Sequence, residues 1–246
     1  MFLKFVKIQI SNSQKYPCKT LSKIILTMIT AVIPVKEKSS RLPNKNILPF
    51  GESNLLINKI RQIKALGKVD RIIVSTDSEQ MLQMARTEGV EAIRRPKEFA
   101  NESRPLAEFF DYICQIIENG DLLWACCTSP CVKVQTYHQA LDIYSSKLKE
   151  GYDSLITVCK HQHYLFDENG PINFEYGAKH KNSDHLPVLH LFTNGIIIAP
   201  IASVRAWRYN YGPKAYRLEI DQQESIDIDT FWDYLCAKAW HDSKQY

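Results

Sequence analysis

Four cations and two hydroxyls fall within ten residues along Lys36-Glu37-Lys38-Ser39-Ser40-Arg41-Leu42-Pro43-Asn44-Lys45. Lysine, arginine and hydroxyl donors grouped in this way suit clustered phosphate oxygens. No glycine lies between Pro34 and Asn46, so the stretch is not a Walker phosphate loop. A solvated charged loop is the plain alternative. A second group comes much later, in Asp221-Gln222-Gln223-Glu224-Ser225-Ile226-Asp227-Ile228-Asp229-Thr230. In an extended segment Asp227 and Asp229 point the same way, and two hard carboxylates on one side suit Mg²⁺. The same acids would equally serve the dipole of a helix capped by Thr230. Taken together, cations for a triphosphate and a carboxylate pair for its metal describe phosphoryl or nucleotidyl transfer.

A third group is weaker. Five of the seven histidines lie between residues 160 and 190. His161 and His163 with His180, His185 or His190 raise a zinc site, but the spacing is not that of a known finger; a polar insertion with exposed or subunit-contact histidines is the simpler expectation. Trp207, Tyr209, Tyr211 and Tyr216 would wall a sugar pocket or a dimer contact, with core packing the first expectation for aromatics.

These residues need a scaffold. Short β-branched runs at 31–35, 71–76, 90–93, 122–127, 154–158 and 195–199 read as strands. Amphipathic stretches at 55–66, 79–88, 105–119, 135–148 and 230–240 read as helices, with Ser78 placed to cap the second and Gly89 to end it. Strands alternating with helices predict an α/β, Rossmann-like fold, a mostly parallel twisted sheet with helices on both faces. Ligands of such sheets bind beyond the carboxyl ends of the strands, where the chemical residues fall. Periodicity is lost over about 160–190, which predicts a small insertion in one domain spanning 28–246.

The 246 residues are 45% hydrophobic and 24% charged, ordinary for a globular chain. No stretch reaches the roughly 18 apolar residues of a membrane span. The net charge of +4 comes from residues 1–27, which hold five lysines and no acid; the remainder carries 26 basic and 27 acidic residues. The body therefore lacks the charge of a nucleic-acid binder. Residues 1–27 are expected to be an N-terminal extension, or a misplaced start with Met28 opening the domain. A cleaved signal is disfavoured, because Pro34-Val35-Lys36-Glu37 rather than a small-residue cleavage site follows the apolar run. Seven cysteines without regular spacing suggest reduced thiols and the cytoplasm.

The sequence from Ile33 to Asn46 resembles the signature of acylneuraminate cytidylyltransferases, the CMP–sialic acid synthetases, which usually reads Ile-Pro-Ala-Arg-Gly-Gly-Ser-Lys-Arg-Leu-Pro-Gly-Lys-Asn. Similar motifs follow in order: Asp70-Arg71-Ile72-Ile73-Val74-Ser75-Thr76-Asp77-Ser78, Arg94-Arg95-Pro96-Lys97-Glu98-Phe99-Ala100, Thr128-Ser129-Pro130, Asn194-Gly195 and Ser225-Ile226-Asp227-Ile228-Asp229-Thr230. The resemblance implies Mg²⁺-dependent transfer of CMP from CTP to a 3-deoxy-2-keto sugar acid, with release of pyrophosphate. It implies a cytoplasmic homodimer joined through the insertion. Lys45 would hold the triphosphate with Lys36, Ser39 and Arg41. Asn46 and Arg95 would contact the nucleotide, Asp227 and Asp229 would bind Mg²⁺, and Asn194 and Gly195 would border the sugar pocket. The sequence departs from the pattern where Glu37-Lys38 replaces Gly-Gly, where Glu102-Ser103-Arg104-Pro105-Leu106 replaces Asp-Thr-Ala-Ser-Ser, and where Cys126-Cys127 replaces Gln-Pro. Those changes keep open a related ulosonic acid, another base, and a non-catalytic nucleotide-binding relative.

Overall fold

A computed structural model describes residues 28–100 and 104–243. The extension expected over 1–27 lies outside the described residues. Strand β1 (Ile29–Pro34) is followed by a loop and a two-residue hairpin, β2 (Pro49–Phe50) and β3 (Ser53–Asn54). Then come α1 (Leu55–Lys64), β4 (Arg71–Thr76), α2 (Glu79–Thr87), β5 (Glu91–Arg94), α3 (Leu106–Ile116), β6 (Asp121–Trp124), α4 (Val134–Lys149) and β7 (Ser154–His161). A hairpin of β8 (Phe166–Asp167) and β9 (Gly170–Pro171) occupies the expected insertion. The chain closes with β10 (Leu189–Pro200), α5 (Ile201–Trp207), β11 (Ala215–Ile220) and α6 (Phe231–Ser243).

Seven strands form one sheet in the order β11-β7-β10-β6-β1-β4-β5. All pairs are parallel except those of β10, which runs against both β6 and β7. The mostly parallel sheet is the one expected; the reversed β10, the short α5 and the edge strand β11 are not in the sequence reading. The order turns in opposite directions on either side of β1, toward β4 on one side and β6 on the other. A crevice at the carboxyl ends follows from that reversal.

Alternation along β1 sorts the core onto two faces. Ala31 and Ile33 point into one buried cluster with α1, α2, α4 and α6. Val32 points into the other, with α3 and α5. Helices therefore cover both faces. Trp207, Tyr209 and Tyr211 pack against the second cluster and Tyr216 against the first, in line with core packing.

Local signals start and stop the helices. Asn54 caps α1, its side chain accepting from Ile57 N at 3.0 Å. Ser78 stands at the N-cap of α2 but its hydroxyl makes no capping bond; its carbonyl accepts from Leu82 N instead. Thr230 and Asp233 form a reciprocal capping box at α6, with Thr230 N donating to Asp233 Oδ2 at 2.7 Å and Asp233 N to Thr230 Oγ1 at 3.3 Å.

One turn is set by close backbone packing. Gly120 has φ +89°, and a Cβ there would lie 2.2 Å from the carbonyl oxygen of Met28. Gly120→Ala combines backbone strain with overpacking and is expected to cost about 2–5 kcal/mol. Thermal unfolding followed by circular dichroism checks this; a midpoint within about 2 °C of wild type would contradict the packing described.

Candidate active site

The early cationic loop leaves β1 and is drawn back to the sheet by specific bonds. Val35 N donates to Ser75 O at 3.1 Å. Glu37 N donates to Asp77 Oδ1 at 2.8 Å, so the acid after β4 ties down the first turn of the loop. Leu42 is buried and anchors the middle. Asn44 then takes a left-handed conformation at φ 55°, which asparagine tolerates better than most residues. That turn begins the 3-10 segment Lys45–Ile47 and sets the direction of Lys45. Asn46 is buried at 5% exposure. Its amide donates to Lys36 O at 2.9 Å, while its Oδ1 accepts from Cys127 Sγ at 3.3 Å. Burial pushes the Cys127 thiol up to about 12, so it stays protonated and able to donate. Asn46 thus fastens the loop to the turn after β6, with both of its side-chain polar atoms engaged within the protein.

The late acidic segment follows β11. Buried Glu224 holds its start against the amino end of α4, accepting from Lys133 N at 3.0 Å and Thr136 Oγ1 at 2.6 Å. Ile228 N donates to Thr128 O at 2.8 Å, and the Ile228 side chain is fully buried. Burying Ile228 leaves its neighbours Asp227 and Asp229 half-buried beside it, the disposition the two-residue spacing predicts.

The two segments meet. Lys45 Nζ lies 3.0 Å from Asp229 Oδ1, across 184 residues of sequence. Arg41 Nη2 lies 2.8 Å from the same oxygen, across 188. Asp227 is held from a third direction by Asn194, whose Nδ2 donates to Asp227 Oδ2 at 2.8 Å.

Asn194 reaches Asp227 because β10 bulges. Its pairing with β7 shifts between Phe192 and Ile197, and Ile197 pairs with Trp124, the last residue of β6. The bulge therefore lies just beyond the carboxyl end of β6. Threonine side chains satisfy the backbone groups that the ladder loses there. Ile196 N donates to Thr157 Oγ1 at 2.9 Å, and Thr193 Oγ1 donates to Thr157 O at 3.1 Å. Gly195 sits where a Cβ would come within 3.0 Å of Val132 and 3.1 Å of Thr157.

Lys36 and Arg95 mark another part of the crevice. They line a cavity of about 290 Å³ with Phe99, Arg104, Leu106 and Phe109. Arg95 is buried, donates to Ser75 O at 2.6 Å and lies 4.6 Å over the Phe109 ring. Burial pushes it down to about 10, still charged at neutral pH. Ser39 lies half-buried in the loop. The departures at Glu102 and Ser103 fall outside the described residues.

Lys45, Arg41, Asp227, Asp229 and Asn194 are thus brought together, while Lys36 and Arg95 share the neighbouring cavity. Four residues were given no role in the sequence reading: Asp77 and Glu224, which tie down the loop and the acidic segment, and Tyr137 and Lys59, which bond to each other in the core. A lysine within the apolar stripe of α1, next to Ile60, was the available signal for Lys59. For the histidines, no three His, Cys, Asp or Glu side chains converge on a metal-sized site among the described residues.

A model of the cytidylyltransferase family matches residues 30–176. The chain belongs to the cytidylyltransferase family. It is similar to the N-acylneuraminate cytidylyltransferase of Escherichia coli O18:K1:H7, 26% identical over 223 residues that cover 86% of this chain and 51% of that protein. It is similar also to the N-acylneuraminate cytidylyltransferase of Streptococcus agalactiae serotype V, at 24% over 210 residues, 83% of this chain and 51% of that one. The chain thus spans about half the length of the curated relatives it matches. Among solved structures it resembles a CMP:2-keto-3-deoxy-manno-octonic acid synthetase complexed with CTP, with a TM-score of 0.64 and 14% identity over 89% of this chain and all of that one; that likeness is one of fold. Within this member of the family, the crevice described above lies where a doubly wound sheet places its ligand.

Proposed function

We propose that the chain transfers CMP from CTP to a sialic-acid-like 3-deoxy-2-keto sugar acid and releases pyrophosphate. The observation that carries this reading is the meeting of Lys45 and Arg41 with Asp229. Cations and carboxylate neutralise each other across the crevice. With a triphosphate present, Lys45 and Arg41 turn to phosphate oxygens, and Lys36 and Ser39 extend the same donor surface. Asp227 and Asp229 are hard oxygen donors on one side of their segment, a set that fits Mg²⁺. Bound there, Mg²⁺ would neutralise the triphosphate and favour pyrophosphate as the leaving group. The wall of Phe99 and Phe109, with the Arg95 guanidinium lying over the Phe109 ring, suits a planar base. Asn194 and Gly195 border the place of the sugar acid. The chain's contribution is position and charge, the usual means of catalysing transfer at phosphorus.

A homodimer formed through the insertion accompanies this reading. Phe166, Ile172 and Tyr176 there are 67%, 56% and 80% exposed, apolar surface that a subunit contact would cover. A cytoplasmic location accords with the six described cysteines, all free. Among the described residues no helix is long and apolar enough to cross a membrane.

The test is pyrophosphate release with Mg²⁺ and CTP across a panel of ulosonic acids. Turnover is expected with at least one acid and is lost on chelation. A parallel thermal-shift screen sets CTP against UTP, GTP and ATP; at about 100 times its Kd, a ligand stabilises by about 2.7 kcal/mol. Preferential stabilisation by UTP or GTP would overturn the choice of base. CTP binding with no pyrophosphate from any acid would indicate a non-catalytic binder.

A further inference from the structure

Lys59 is fully buried in the middle of α1 and belongs to none of the motifs above. Its Nζ donates to Ser129 O at 2.9 Å, to Tyr137 Oη at 2.9 Å and to Gln62 Oε1. Two connected paths run from these partners to the acidic pair. Ser129 lies in the turn after β6, and the adjacent Thr128 carbonyl accepts from Ile228 N at 2.8 Å. Tyr137 Oη donates to Gly195 O at 3.1 Å, and the adjacent Asn194 donates to Asp227 at 2.8 Å. Both paths end on Asp227-Ile228-Asp229, one through its backbone and one through a carboxylate.

We propose that Lys59 is a positioning residue that holds Asp227 and Asp229 in the arrangement a divalent cation requires. The inference rests on reading those two acids as the cation-binding pair. Its physical ground is that one ammonium, with three donors, joins α1, α4 and the turn after β6 at a single buried point. Stability alone does not account for it. Complete burial pushes Lys59 down to about 8, so keeping it charged at neutral pH opposes folding, and a well-packed apolar side chain often does as well or better at such a place. Distant support of this kind changes the affinity of a metal site through the geometry of its ligands.

Mn²⁺ binding in the presence of CTP, followed by electron paramagnetic resonance, tests the proposal on the full chain. Lys59→Met is expected to weaken Mn²⁺ binding about tenfold or more, while its thermal midpoint stays within about 5 °C of wild type. Tyr137→Phe cuts only the path through Gly195 and is expected to weaken binding about threefold, a smaller loss because the path through Ser129 remains. Pyrophosphate release by both variants is expected to recover at raised Mg²⁺, a shift in half-saturation that general loosening of the fold would not give. Unchanged Mn²⁺ affinity in folded Lys59→Met overturns the proposal; should that variant not fold, unchanged affinity in Tyr137→Phe overturns it. A wild-type chain that binds no Mn²⁺ even with CTP instead rejects the reading of Asp227 and Asp229.

Discussion

Asp229→Asn is expected to slow pyrophosphate release by about 10²–10³-fold at saturating CTP and Mg²⁺, the loss usual when one preorganised charge contact is removed. The amide keeps the shape and one oxygen but loses the charge. In the structure that charge meets Arg41 at 2.8 Å and Lys45 at 3.0 Å, with Asp229 itself 38% exposed. Part-exposed pairs of this kind contribute only about 0–1 kcal/mol each to folding. The thermal midpoint should therefore move by a few degrees at most, while a 10²–10³ rate loss corresponds to about 3–4 kcal/mol in the transition state. The disparity between small stability change and large rate change is what separates a site residue from a structural one. Initial rates beside thermal melts measure both, and wild-type turnover in Asp229→Asn would reject the metal assignment.

Lys45→Met should reduce kcat/KM for CTP by about 10²-fold or more. The competing candidate for the dominant cation is Arg41, which touches the same carboxylate oxygen. Burial decides between them: the Lys45 side chain is 12% exposed and that of Arg41 63%. A charge facing water is screened by a high local dielectric, and the same charge in a crevice interacts several times more strongly. Arg41→Ala is accordingly expected to cost about tenfold or less, and its effect should shrink further at high ionic strength. Steady-state kinetics on the two variants decide the matter; a larger loss from Arg41→Ala would invert the ranking and move the triphosphate toward the outer loop.

Much of this scaffold could be read locally. The spans read as Arg71–Thr76 and as 55–66, 79–88 and 135–148 coincide, within a few residues, with β4, α1, α2 and α4. Each carries its own periodicity and end signals, which act over one or two turns of chain. The direction of β10 could not be read that way, because alternation looks the same in a parallel and an antiparallel strand. Its bulge was hidden too. The bonds that replace the ladder come from Thr157, 36 residues from Thr193 and 39 from Ile196.

For the site, residue types and order were legible and their support was not. The lysine-rich loop stands at the end of the first strand, which the βαβ pattern marks in advance, whereas Asn194 lies inside β10 and the aspartate pair follows the unread strand β11. Glu224 looked like one more acid in a polar segment, yet it is 3% exposed and clamps that segment to α4. Lys59 looked like a break in an apolar stripe, yet it joins three segments from inside the core.

By itself the sequence determined the chemical groups available, the α/β alternation, and the fact that the cations follow the first strand and the acids precede the last helix. Only the tertiary structure decided that Lys45 and Arg41 share one oxygen of Asp229, that a bulge turns Asn194 onto Asp227, and which lysine is buried. The reason is physical. Helix and strand signals arise from neighbours along the chain, whereas burial and ion pairing depend on what the folded sheet brings within a few ångströms, here from 184 residues away.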